Sequence, residues 1–231
     1  MTTRKDFLAT SSLLAVAPAL AQAATPSPAP SAAAKPSAHE LTFAFDRARF
    51  DQILARPAKH KQCFGSTNIE GGDVLGAMDN SINAYVRYFS ESPGTMQTVA
   101  VLYHGSAIAM AMSDSAWNEL LIPSLKHFPS IAKDVPNAKR GKGNPYLHTT
   151  TNDPQDVSVE SLVKKGASFL VCHNAIVGFS YGVAEALKES PAKAHAAILA
   201  AIVPGALVVP AGVMAINACQ EAKFTYIQST L

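Results

Sequence analysis

Ser168-Phe-Leu-Val-Cys-His-Asn-Ala-Ile176 decides the fold. The apolar run from Ser168 to Val171 has the length of a strand covered on both faces. Cys172 closes it, and Ile176, Phe179, Val183 and Leu187 then recur at helical spacing. A buried strand that passes straight into a helix is half of a β-α unit and points to a parallel sheet. In such a sheet, ligands and chemistry gather at the carboxyl ends of the strands. A cysteine there faces the positive end of a helix dipole, which favours the thiolate.

The pattern repeats on both sides of this unit. Upstream, Asp46 to Arg56 reads as a short helix with Asp46 as N-cap, and Gly71-Gly72 opens a longer one carrying Leu75, Met78, Ile82, Tyr85 and Phe89. Thr98 to Tyr103 is a β-rich run that ends at His104-Gly105, and Ile108 to Met112 is expected as a second short strand. Ser113 caps a helix through Trp117. Pro129 to Asp156, rich in Pro, Asn, Gly and Lys, reads as a long loop or insertion. Val159 to Lys165 is a short helix closed by Gly166. Downstream, Ser190-Pro191 starts a helix that ends at Pro204-Gly205. Ala206 to Val209 is a strand, a helix from Pro210 carries Val213, Ile216 and Cys219, and Phe224 to Ile227 is a last strand. The alternation predicts an α/β fold: a small three-layer sandwich with a mostly parallel sheet and helices on both faces.

The amino-terminal region differs. Arg4-Lys5, the apolar stretch Leu13 to Leu20 and Ala21-Gln-Ala23 together make an export signal over residues 1–23. Arg4-Lys5 before Phe7-Leu8 looks like a twin-arginine signal with Lys in the second position, so the twin-arginine and general secretory routes both stay open. Residues 24–38, nearly all Ala, Pro and Ser, read as a disordered linker. One domain is expected over 39–231, and a periplasmic location follows from export. The apolar stretch is too short to span a bilayer, so no stable membrane span is expected once the signal is removed.

Charged residues make up 16% of the chain and the formal charge is +2. With no basic stripe interleaved with aromatics, nucleic acid is not an expected partner. Lys139-Arg-Gly-Lys142 lacks the earlier Gly of a phosphate-binding loop and reads as solvated surface. No His-Glu-x-x-His or Gly-x-Gly-x-x-Gly occurs, and a hydrolase elbow is not expected. Three cysteines, Cys63, Cys172 and Cys219, leave at least one unpaired, and sequence does not choose a pair.

Val101-Leu-Tyr-His-Gly105, Lys165 to Ala175, and Val203-Pro-Gly-Ala-Leu-Val-Val-Pro-Ala-Gly-Val213 with Gln220-Glu and Phe224-Thr-Tyr-Ile227 resemble the DsrE/DsrF-like (YchN-like) family. His60-Lys-Gln-Cys-Phe64, Gly71-Gly and Ser113-Asp-Ser-Ala-Trp117 look like an exported branch of it. The resemblance implies a small α/β sandwich that assembles into trimers or hexamers. It also implies sulfane sulfur carried on a strand-end cysteine, the position of Cys172. The relay members with that activity are cytoplasmic, whereas this chain carries an export signal.

The expected site therefore centres on an open, reactive Cys172, a sulfurtransferase-like persulfide carrier in a sulfur relay, with a donor or acceptor protein or a small thiol as partner. His104, at the end of the neighbouring strand, and His173 are its candidate proton-handling groups; Asn174 and Gly105 are candidate binding residues. No cofactor is expected. The alternative is a non-catalytic oligomeric binding module with a small-molecule, metal or haem cleft, for which His60, Cys63 and His104 are the candidate ligands. The nearly all-apolar helix Ala194 to Val203 is expected to be buried on most sides, as at a subunit interface.

Overall fold

The computed structural model describes residues 41–135, 142–149 and 157–229. The expected export signal and linker lie outside the described residues, as do 136–141 and 150–156 of the long loop.

The described chain is an α/β fold around one five-stranded sheet. The strands are β1 (His60–Ser66), β2 (Met96–Leu102), β3 (Ser168–Cys172), β4 (Ala206–Val209) and β5 (Thr225–Gln228). Their order is β4-β3-β2-β1-β5, and every pairing is parallel. All carboxyl ends therefore share one edge of the sheet.

The helices are α1 (Arg47–Ala55), α2 (Asp73–Tyr88), α3 (Asp114–Ala116), α4 (Ile122–Ser124), α5 (Pro129–Asp134), α6 (Val159–Lys164), α7 (His173–Leu187), α8 (Pro191–Ala201) and α9 (Gly212–Glu221). A π-turn, Trp117–Leu121, joins α3 to α4. The crossovers from β1 to β4 step along the sheet in one direction; the last steps back to place β5 beside β1. Right-handed crossovers therefore put α9 on the opposite face from the crossover helices between β1 and β4, and α1, which precedes β1, shares the α9 face. The two apolar cores follow this division. Phe64, Ala100, Leu102, Phe169 and Val171 face the larger core with α2, α7 and α8. Cys63, Val99, Val101 and Leu170 face a smaller core with Phe50 of α1 and Ala215 and Cys219 of α9. Successive residues on each strand alternate between the cores, as the pleat requires.

Three features depart from the expected elements. The stretch His60–Ser66 is a strand, and it carries the central pairing with β2 and the edge pairing with β5. Ala107–Ala111 is a fully buried 3₁₀-turn, not a strand, and only Met112 forms a bridge, to Ile202. Its carbonyls find a donor elsewhere. The Asn144 amide donates to the carbonyls of Ala109, Met110 and Met112 at 3.2, 3.0 and 2.7 Å. A buried turn satisfied in this way needs no second strand beside it. The long loop is also partly regular. It contains α5, the buried Asn144, and His148, whose ring nitrogens each lie 2.9 Å from a carboxylate, Glu160 on one side and Asp114 on the other.

On α8, Ala194, His195, Ile198 and Ala201 are buried, whereas Ala192, Ala196 and Ala200 are exposed. The helix is covered on one side rather than most sides. Among the described residues no helix is long and apolar enough to cross a membrane.

Candidate functional site

Cys172 stands where the sequence places it, at the carboxyl end of β3 and at the N-cap of the 15-residue α7. Its sulfur makes no capping hydrogen bond. Its register partner on β4 is Val209, three residues before α9 begins at Gly212. Both α7 and α9 thus start at the sheet edge on which Cys172 lies. Gly212 is held close to the end of β2: a Cβ on it would lie 1.9 Å from the Cβ of Tyr103. Only glycine permits this approach.

The expectation of an open thiol is not met. Cys172 is 5% exposed. It ends an interior strand, with β2 on one side and Val209 level with it on the other. Strand alternation also turns it to the same side as Leu170, toward the α1/α9 face.

His173, the first residue of α7, is buried as well. Its ring stacks on Phe43, with centroids 4.3 Å apart, and its Nε2 lies 2.9 Å from Nε2 of His195 on α8. One imidazole donates and the other accepts, so the accepting ring is neutral. Burial, with His195 adding to it, holds His173 down at about 4, and burial lowers His195 too. The Nε2 of His173 is therefore engaged by His195 rather than by the thiol.

His104 is exposed and lies beyond the end of β2, the strand next to β3. It shares the edge with Cys172, but no hydrogen bond or ion pair joins them. Gly105 follows it, half-buried, and Asn174 is exposed on the first turn of α7. The carboxyl edge thus gathers Cys172, His173, Asn174, His104 and Gly105 without connecting them into a relay.

The candidate ligand set is dispersed. His60 begins β1 at the amino edge, with its ring stacked on Tyr85 at 4.2 Å and Nε2 3.7 Å from Glu91. His104 lies at the carboxyl edge, and a strand of seven residues separates the two edges by about 20 Å. Cys63 faces the smaller core. Among the described residues no group of three His, Cys, Asp or Glu side chains is placed to hold a metal ion.

Two groupings escaped the sequence reading. Gly178-Phe-Ser-Tyr-Gly182 matches the Gly-x-Ser-x-Gly spelling of a hydrolase elbow. It lies inside α7, where Ser180 is fully buried and its hydroxyl donates to the carbonyl of Ile176 at 2.7 Å, so it is no nucleophile. The His173–His195 pair was signalled only by a lone histidine in an alanine-rich helix.

A separate cleft of about 490 Å³ opens farther along the carboxyl edge, where β1 leads to α2. Gly71, Gly72, Asn80, Tyr146 and Ser229 line it. Gly71 and Gly72 hold φ of 67° and 93°, conformations that suit glycine.

No protein-family model matches the chain, and no curated protein and no solved structure matches it either.

Proposed function

We propose that this chain is an exported, periplasmic protein of DsrE/DsrF-like type that handles sulfur or thiol redox chemistry at Cys172, as a carrier rather than a high-turnover enzyme. The observation that supports this reading is the placement of Cys172 at the edge where both α7 and α9 begin. Positive helix ends stabilise an anion formed beside them. In the proposed step the Cys172 thiolate attacks the outer sulfur of a persulfide donor, R–S–SH. A new S–S bond forms, RS⁻ leaves, and Cys172–S–SH remains. An acceptor thiolate then attacks the outer sulfur and releases Cys172 as thiolate. With 5% exposure, Cys172 reacts through transient opening of the edge. Assembly into a homo-oligomer belongs to the same reading, and the exposed alanines of α8 offer a flat face for it.

The test is mass spectrometry of the protein from its native compartment together with an alkylation profile against pH. A gain of about 32 Da on the Cys172 peptide and alkylation well below pH 8.5 are expected. No added sulfur and no reaction of the folded protein below that pH would remove the proposal.

The burial of Cys172 and the separate cleft at Gly71–Gly72 favour a second reading, a non-catalytic binding module. In that case Cys172→Ser leaves ligand binding unchanged, while Gly72→Val, which fills the cleft wall beside Tyr146, abolishes it.

A further inference from the structure

Cys63 and Cys219 face each other across the smaller core. Cys63 sits in the middle of β1, level with Val99 on β2 and Tyr226 on β5. Cys219 lies on the buried side of α9, which packs against β1, β2 and β3. Both residues have no exposed surface, and Phe50, Val99, Val101 and Phe224 belong to the same cluster. Cys63 faces the α9 side of β1 and Cys219 the sheet side of α9, so both thiols lie in one buried cluster. Cys219, with burial, pushes the Cys63 thiol up, so it is no nucleophile in the closed fold. Two thiols sharing one buried hydrocarbon cluster have one other state open to them, a covalent link.

We propose that Cys63 and Cys219 become a disulfide when the chain folds under oxidising conditions, tying β1 to α9 and leaving Cys172 as the single free thiol. The oxidant is another disulfide, R–S–S–R, either a small molecule or a protein. One cysteine thiolate attacks it, forming a mixed disulfide and releasing RS⁻. The second thiolate attacks the cysteine sulfur of that mixed disulfide, closing the Cys63–Cys219 bond and releasing the second RS⁻. Two cysteine thiols are oxidised, R–S–S–R is reduced to two thiols, and the cysteine protons pass to the departing thiolates. The exchange takes place before α9 seals the core, since neither sulfur can be reached afterwards. The link stands apart from the chemistry proposed for Cys172: either can fail without the other.

The experiment is to refold the reduced full-length chain in a reduced/oxidised glutathione buffer, denature it in iodoacetamide without reductant, digest it and weigh the peptides. One alkylated cysteine, Cys172, is expected, together with a Cys63–Cys219 cross-linked peptide two hydrogen masses lighter than its parts. Prior reduction should give alkylation at all three cysteines. Three alkylated cysteines without reduction, or a cross-link that contains Cys172, would overturn the proposal. Independently, reduction should lower the thermal midpoint of the oxidised protein by roughly 5–10 °C. It should leave the midpoint of the Cys63→Ala/Cys219→Ala chain where it was, and an equal fall in both would count against the link.

Discussion

Gly212, at the start of α9, lies against Tyr103, the residue that follows β2, with no room between them for a methyl group. This contact fixes where α9 begins, one strand away from the end of β3. Gly212→Ala should therefore displace α9 as well as strain it. Overpacking of this kind costs about 1–3 kcal/mol. Urea unfolding measures the loss, and an unchanged midpoint would show that α9 is not anchored there.

Asn144 is the partner that lets Ala107–Ala111 stay buried. In Asn144→Ala, the carbonyls of Ala109, Met110 and Met112 lose their shared donor. An unsatisfied buried carbonyl costs about 1–3 kcal/mol. A loss of about 2–6 kcal/mol in chemical denaturation is expected once two of the three go unpaired. Faster amide exchange confined to residues 107–113 and 142–147 would locate the effect.

The buried His173 sets a sign for pH. Its folded value of about 4 lies below the ordinary histidine value of about 6.5. Between those values the unfolded chain binds a proton that the folded chain refuses. Stability from this group is thus full above pH 6.5 and is lost as the pH falls toward 4. His173→Phe keeps the stack on Phe43 and removes the titration. Thermal midpoints measured from pH 7 to 4 should fall less steeply for the variant than for the native chain, and parallel curves would refute the assignment.

Phe43 covers the residue next to Cys172 by stacking on His173. Phe43→Ala should loosen this part of the edge and speed alkylation of Cys172 severalfold, with little change at Cys63 and Cys219, which lie in the core. Site-resolved labelling by mass spectrometry reads it. Equal acceleration at all three thiols would mean global unfolding instead.

β2 and β3 were legible because each is buried along almost its whole length. Met96–Leu102 and Ser168–Cys172 are covered on both faces and so read as near-continuous apolar runs. β1 was not, because its first three residues, His60-Lys-Gln62, are only half-buried at the amino edge, and the spacing of His60 and Cys63 imitates a helix face. Ala107–Ala111 was misread because its hydrogen-bond partner, Asn144, lies more than thirty residues away, inside a stretch whose composition suggested only a loop. At the site, the position of Cys172 followed from local pattern. Its burial did not, because the neighbours at its level come from β2 and β4. His195 reached His173 from a helix whose remaining residues gave no hint of a polar contact.

The pairing of β5 with β1 ties the order of synthesis to the order of folding. Gln62 to Gly65 must wait for Thr225 to Gln228 before that side of the sheet acquires its ladder. A ribosome emitting this chain releases the first strand some 160 residues before its neighbour exists. Until then β1 presents bare amides and carbonyls to whatever holds the nascent polypeptide, and topology of this kind favours slow, late closure.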